Sequence, residues 1–441
     1  MKKIVASVGL AAIGASGIES ATAQALVAPD ASKPWSVSAT LRGFYDDNVS
    51  TLPNDFKVPS GQHRDTFGFE ASPSAALVWS VEQTTVTLGV LGSFKYYEHK
   101  PIFSTDRWDK SFAFNAGLTH AFSEETSFRA SDSFVIGQEP DMLRAGNTFS
   151  TFQRVSGDNI RNYGTLSLEM QLTPQFGLGV GYDNAFYDYK DRGANIPLVG
   201  EVQPSLAGAL NRIENRAHLE AFWRIDPETK LLLGYQFTDF DYNSDELIGG
   251  TAFFGTVFDP FYARQRDSRE HTVYVGAEHT FLPELTGSIR AGGSYSEYYN
   301  APGADHQYSP YVNAIMKYSY APESYVEGGF SYDRNATDVV GGGFSAGTLD
   351  AESAVVFVDL THRITPYLFA SLTGQFQNSK YHGGAFDNKD EQYYLAGLDF
   401  EYRFNQYFSA HAGYNYDRLE SKDLGRTFDR NRVYVGVTAT Y

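Results

Sequence analysis

The last eleven residues, Asn431 to Tyr441, restrict what this chain can fold into more than any other stretch. Strand side chains alternate with period two, so Val433, Val435, Val437, Ala439 and Tyr441 share one face. Tyr434, Gly436, Thr438 and Thr440 share the other. One face is apolar to its final residue, and the other is small or polar. A strand set between hydrocarbon and a watery interior has this pattern, with an aromatic at the membrane interface. Such a strand is also an open edge, and in a membrane an open edge must be paired. The rest of the chain therefore has to supply a closed ring of partners.

Composition agrees with many short strands and turns: Tyr 30, Phe 33 and Gly 41 in 441 residues. With Cys 0 and Met 4 there is no disulfide framework and no thiolate metal site. Mean hydropathy is -0.35. Outside the amino terminus no apolar run approaches the roughly 18 residues that a spanning helix needs. That excludes a helical membrane protein but not a barrel, whose alternating strands average to a polar sequence. The formal charge of -18 excludes a nucleic-acid partner, which needs a basic footprint.

The amino terminus carries an address. Lys2 and Lys3 precede the apolar run Ile4 to Ile13, and Ala23-Gln24-Ala25 is an A-x-A cleavage site. The expected order is a cleaved signal peptide over 1–25, a periplasmic linker over 26–34 and a barrel over 35–441. The expected location is the bacterial outer membrane.

From Trp35 onward the chain is a series of alternating segments whose connections fall into two classes. Tight turns are expected at Ser80–Gln83, Ser123–Thr126, Thr173–Gln175, Asp226–Thr229, Leu282–Glu284, Ala321–Ser324, Thr365–Tyr367 and Asn405–Tyr407. Longer loops lie between them, near 47–65, 98–107, 137–160, 190–212, 243–268, 300–306, 335–352, 379–390 and 418–430. Short turns at one end and long loops at the other are the asymmetry of outer-membrane barrels, with the turns periplasmic. The fold class is a transmembrane antiparallel up-and-down β-barrel of about 18 strands, both termini on the periplasmic side. The first strand, Trp35 to Asp46, must pair with the last. Pro73 cannot donate to a ladder, so a bulge is expected there.

Along each strand the charged residues share one parity. An unpaired charge in hydrocarbon costs about 2–4 kcal/mol at the midplane, so this parity must face water. The expected lumen-lining residues are Arg42, Glu70, Lys95, Glu169, Asp183, Arg216, Glu220, Glu278, Arg290, Lys317, Glu327, Asp359, Arg363, Asp399, Glu401 and Arg403. They form either a hydrated wall of compensating ion pairs or a selectivity lining with a transverse field. On the opposite parity an amphipathic ring precedes the end of many strands: His120, Trp223, His279, Tyr318, His362 and Tyr402, with Tyr441 at the terminus. These are expected to form an interfacial girdle, because the three histidines sit on different strands and cannot converge on a metal.

The run Thr238 to Glu246 has acidic residues at alternate positions but lacks the Gly and Glu of a calcium loop, so it reads as solvated acid. Leu247 to Tyr262 and Ile196 to Leu210 are unusually apolar for loops; they either enter the lumen or pack over its mouth. No nucleophile elbow, zincin, phosphate-loop or dinucleotide motif occurs, and the expectation is a protein that is not an enzyme and needs no cofactor. His218 and His411 face inward on this parity, without a nucleophile motif beside either.

The stretch Leu41-Arg42-Gly43-Phe44-Tyr45-Asp46-Asp47-Asn48-Val49 resembles the aromatic-Asp-Asn opening of the Putative beta-barrel porin 2 family. Repeating Gly-x-aromatic strands and the aromatic end extend the similarity over the mature chain. The resemblance implies a single porin-like outer-membrane barrel in contact with lipid and lipopolysaccharide. It also implies a terminal strand that the barrel assembly machinery engages. The leading expectation is passive diffusion of small hydrophilic solutes, cations mildly favoured by the acidic balance. The alternatives are a conduit or accessory for extracellular polysaccharide export, since some similar barrels accompany such systems, and a structural or adhesive barrel without conductance.

Overall fold

A computed structural model describes residues 33–102, 104, 106–138, 157–301, 305–340, 347–421 and 424–441. The expected signal peptide lies outside the described residues, as does the linker up to Ser32. The strands are β1 (Trp35–Asp46), β2 (Thr66–Val81), β3 (Thr84–Tyr97), β4 (Trp108–Ala121), β5 (Thr126–Gly137), β6 (Asn159–Gln171) and β7 (Phe176–Tyr189). After the short β8 (Val199–Glu201) come β9 (Arg212–Arg224), β10 (Thr229–Asp241), β11 (Leu247–Phe253), β12 (Thr256–Tyr262), β13 (Ser268–Leu282) and β14 (Leu285–Tyr298). The chain ends with β15 (Asp305–Ala321), β16 (Ser324–Asn335), β17 (Asp350–Arg363), β18 (Leu368–His382), β19 (Asp390–Arg403), β20 (Phe408–Glu420) and β21 (Phe428–Thr440).

All but β8, β11 and β12 form one 18-stranded antiparallel sheet. Each strand pairs with its neighbours in sequence, β7 with β9 and β10 with β13, and β1 with β21 closes the ring. The seam runs from Ser38 opposite Thr440 to Asp46 opposite Arg432. Its lower end is tied by Tyr441 N donating to Val37 O at 2.8 Å, with the Trp35 and Tyr441 rings 5.8 Å apart. Its upper end is tied by Arg430 Nε to Asp46 Oδ2 at 2.9 Å and by Asn431 Nδ2 to Asp47 Oδ2 at 2.7 Å.

The tight turns stand where expected, and their first polar side chain explains why. Ser123 Oγ accepts from Glu125 N (3.1 Å), Thr173 Oγ1 from Phe176 N (3.0 Å), Asp226 Oδ1 from Glu228 N (3.0 Å) and Asn405 Oδ1 from Tyr407 N (2.8 Å). These side chains mimic a backbone turn and satisfy donors that a hairpin end leaves free. In the β15–β16 turn Pro322 fixes the first corner and Glu323 takes φ 56 at the second.

Directly opposed residues of an antiparallel pair share a face. Stepping through such pairs from Val435, itself exposed, the exposed apolar residues form one continuous outer surface. On the inner surface, rings lie flat over glycines of the neighbouring strand. A Cβ at Gly234 would meet the Tyr274 ring at 2.0 Å, and one at Gly413 would meet Tyr434 at 2.3 Å. The glycine makes room for the ring against the wall instead of across the lumen.

Two expectations need correction. Pro73 makes no bulge: β1 pairs straight through it, Ala39 opposite Pro73, and the β2–β3 register is the same before and after. That ladder only skips positions 72 and 73, because a missing N–H removes a bond without adding a residue. The upper ends of β18, β20 and β21 extend further than their polar composition suggested, so 379–382, 418–420 and 428–430 are strand and not loop.

Candidate functional site

The sixteen charged positions all fall on the inner face when the opposed pairs are followed around the ring. Neighbouring strands bring many of them together. Arg42 Nη1 is 3.7 Å from Glu70 Oε2, and Lys95 stands opposite Glu70. Arg290 Nε reaches Glu220 at 3.0 Å and its Nη2 reaches Glu278 at 2.9 Å, while Lys230, absent from the expected set, joins Glu278 at 2.8 Å. Lys317 pairs with Glu327 at 3.1 Å, and Asp359 lies across from Glu327. Arg403 bonds Glu401 at 2.9 Å, and Glu323 from the turn below draws in Arg363 at 2.5 Å and Arg403 at 3.5 Å. Arg216 stands opposite Asp183, and Asp399 accepts from Tyr434 Oη at 2.7 Å. Glu169 faces Ser127 and Gly179. His218 and His411 are also on this face, 3.6 Å from Asp183 and 4.0 Å from Asp399.

The basic members lie along the wall. Arg42 sits 4.4 Å over the Tyr434 ring and Arg403 3.8 Å over Phe369. Stacking of this kind stabilises a partly desolvated cation by about 0.5–2 kcal/mol and holds it flat.

The amphipathic rings sit on the outer face at the short-turn end. His120 Nδ1 is 2.8 Å from Thr84 Oγ1, His279 Nδ1 is 2.9 Å from Thr229 Oγ1, and His362 Nδ1 is 2.9 Å from Tyr320 Oη. His120 and His279 thus bond the adjacent strand and His362 reaches across β16 to β15, each far from the other two. Trp223, Tyr318 and Tyr402 are exposed on the same face, as is Tyr441.

The long loops hold what the sequence did not show. Strand β8 pairs with the hairpin β11–β12 in a three-stranded sheet, and a short helix α1 (Leu206–Leu210) packs beneath it. Ser205 caps that helix, accepting from Gly208 N at 2.9 Å. Leu210, Ile248, Phe261, Val340 and Leu349 bury themselves against Tyr189, Phe240 and Tyr298, which point inward from the upper ends of β7, β10 and β14. Connections 190–211 and 242–267 and the described residues 336–340 and 347–349 therefore fold together across the mouth. Of the two placements expected for the apolar loop segments, this is the one over the mouth, anchored on the inner rim.

Arginines clamp this cap, two of them fully buried. Arg266, fully buried, donates to Ala209 O at 2.9 Å and Thr337 O at 2.5 Å, with its guanidinium 4.4 Å over Tyr242. Burial pulls its pKa below the ordinary arginine value. Arg212 bonds Glu214 at 2.7 Å and Leu210 O at 2.9 Å. Arg426, from the β20–β21 connection, reaches Asp338 at 3.0 Å and Glu391 at 2.6 Å. The acidic run 238–246 serves the same end: Asp245 pairs with Arg264 at 3.1 Å, and Glu246 accepts from Gly193 N at 2.9 Å. Beneath the cap lies a small cleft lined by Phe240, Glu270, Arg334 and Asp350 among others. The legible hint was an Ala-Arg-Gln-Arg run directly after an apolar hairpin.

Residues 256–441 match the family model described as Putative beta-barrel porin 2. The match lies on the carboxy-terminal strands and not on the Leu41–Val49 opening. No curated protein matches the sequence. Among solved structures, the outer membrane protein OpdK of Pseudomonas aeruginosa is 12% identical over 92% of this chain and 99% of its own, at a TM-score of 0.43. OccAB4 of Acinetobacter baumannii is 12% identical over 93% and 99%, at 0.42. A BenF-like porin of Pseudomonas fluorescens Pf-5 is 12% identical over 92% and 99%, at 0.42. The strand pairing itself, and not that likeness, defines the ring. With its closed antiparallel wall and apolar exterior, the chain is a β-barrel of the bacterial outer membrane, and its carboxy-terminal part, residues 256–441, matches the family that its first strand resembles.

Proposed function

We propose that the protein is a channel for passive diffusion of small hydrophilic solutes, with its size limit set by the folded extracellular mouth and with a mild preference for cations. The observation that carries this is the closed wall of 18 strands whose inner face holds rows of charged side chains. A ring of that size class leaves an aqueous interior unless something fills it. The cation preference rests on the formal charge of -18. It is expected to be small, because wall charges such as Lys230 and Glu278, or Lys317 and Glu327, neutralise one another at 2.8 and 3.1 Å.

The outer apolar surface would contact lipid and lipopolysaccharide, and the strand ending at Tyr441 would be the segment the assembly machinery engages. A polymer conduit fits less well, since connections pack across the mouth. The test is planar-bilayer recording of the refolded full chain in a salt gradient. Discrete conductance steps with a modest cation-selective reversal potential are expected. No steps at all would refute the channel, and an anion-selective potential would refute the preference.

A further inference from the structure

We propose that His63, Asp65 and His99 form a binding site for a divalent transition-metal ion, zinc or copper(II), at the extracellular rim of the barrel. The three residues come from two connections, 47–65 and the one that follows β3. Because β2 and β3 are hairpin partners, the residues entering one stand beside those leaving the other. His99 N donates to Thr66 Oγ1 at 3.0 Å and Glu98 N to Phe67 O at 2.8 Å, which fixes His99 as a continuation of the ladder. One ligating atom from each residue lies within 4.8 Å of the others, and the two imidazoles are stacked at 3.7 Å between centroids.

The surroundings orient these groups as ligands. His99 Nδ1 is 3.2 Å from the Asp65 carbonyl oxygen, so an Nδ1–H donated there leaves the Nε2 lone pair free. Tyr45 Oη donates to Asp65 Oδ2 at 3.4 Å. Backbone carbonyls and hydroxyls commonly fix the tautomer and aim of metal ligands in this way. Two imidazoles with one carboxylate select zinc, copper or nickel, whereas calcium and magnesium demand oxygen ligands. Zinc bonds are about 2.0–2.2 Å, so the ligands close inward around the ion. His63 is exposed on its connection and is the one able to swing. Three protein ligands leave a position open to water or a passing solute. His218 and His411, on the inner face, each meet one carboxylate, not a set of three.

The test is calorimetric titration of the refolded, tag-free full barrel with zinc chloride, copper(II) sulfate and calcium chloride. Saturable binding of one zinc or copper ion per chain is expected, with none for calcium. His63→Ala and His99→Ala should each weaken it by more than about tenfold, and Tyr45→Phe, which removes only a 3.4 Å contact to Asp65, by less than that. His120→Ala, on the outer face, should leave it unchanged. His63→Ala alters an exposed side chain, and heat-modifiable migration verifies that each variant is a folded barrel. Absence of saturable zinc or copper binding, or undiminished binding by folded His63→Ala and His99→Ala proteins, would overturn the site.

Discussion

Replacing Arg266 by Met should open the mouth while leaving the barrel standing. The guanidinium ties connection 242–267 to 190–211 through Ala209 O at 2.9 Å and to 336–349 through Thr337 O at 2.5 Å; a third contact, Leu349 O at 3.5 Å, is too long to count for much. Two charge-assisted bonds at about 1.5–3 kcal/mol each give a gross contribution of roughly 3–6 kcal/mol. Against this stands the cost of keeping a buried cation dry, several kcal/mol, which Met removes. Met also leaves carbonyls of two connections without that donor, at about 1–3 kcal/mol each. The net expectation is a cap weakened by about 2–3 kcal/mol, a roughly 30- to 150-fold rise in its open population. Among the described residues its side-chain bonds go to Ala209, Thr337 and Leu349, none of them on a strand of the ring. Limited proteolysis should therefore cut the variant within 242–267 faster than the parent, single-channel conductance should rise, and heat-modifiable migration should be unchanged. If cleavage and conductance both stay at parental values, Arg266 does not clamp the cap. If cap and ring unfold together, the cap is not a separable unit.

Asp46→Asn removes the buried carboxylate that Arg430 grips at 2.9 Å across the closing seam, and should cost about 3 kcal/mol in denaturant unfolding. A double-mutant cycle with Arg430→Gln that shows no coupling would refute this. Burial raises the Asp267 carboxyl from 3.8 to about 6, although Tyr242 N and Asn300 Nδ2 donate to it at 2.8 Å each. Folding then takes up a proton between those values, so this group's contribution to cap stability is full below pH 3.8 and lost as pH rises to about 6. Proteolysis of the cap should slow on acidification from pH 7 to 5, and Asp267→Asn should flatten that dependence; an unchanged profile would refute the assignment. Gly413→Val would drive a Cβ into Tyr434 at 2.3 Å and should destabilise by about 1–3 kcal/mol, whereas Gly43→Ala, with nothing within 4 Å, should not. Equal effects in the two variants would count against the ring-on-glycine packing.

The wall was legible because its rules are local. Period two assigns a face to every residue of a strand, and Ser123, Thr173, Asp226 and Asn405 mark turns that need only their own next few residues. The cap was not legible because its partners are far apart in sequence. Arg426 meets Asp338 from 88 positions away, and Arg266 meets Thr337 from 71. Nothing near Ile248 announces that Tyr189 and Tyr298 will cover it. The upper strand ends were misjudged for a related reason. Ser379 and Lys380 are polar like a loop, but above the bilayer a strand needs no apolar face, and pairing with Ser353 and Glu352 keeps these residues extended. Pro73 misled because a missing donor and an extra residue are different defects, and only the second shifts a register.

On the channel function proposed above, these two parts divide the work of selection. The wall's cations are paired and stacked, so its charges largely cancel in place and leave little field across the lumen. The cap is different in kind: its buried core sets how much of the mouth is filled, independently of wall charge. Size should therefore be decided at the mouth, and sign only weakly, by the balance over the whole chain. Replacing hairpin 247–262 with a short Gly-Ser turn separates the two. It should raise conductance and admit larger neutral sugars in liposome swelling, while the reversal potential in a salt gradient moves little. A reversed ion preference at unchanged conductance would place selection by charge in the hairpin and refute this division.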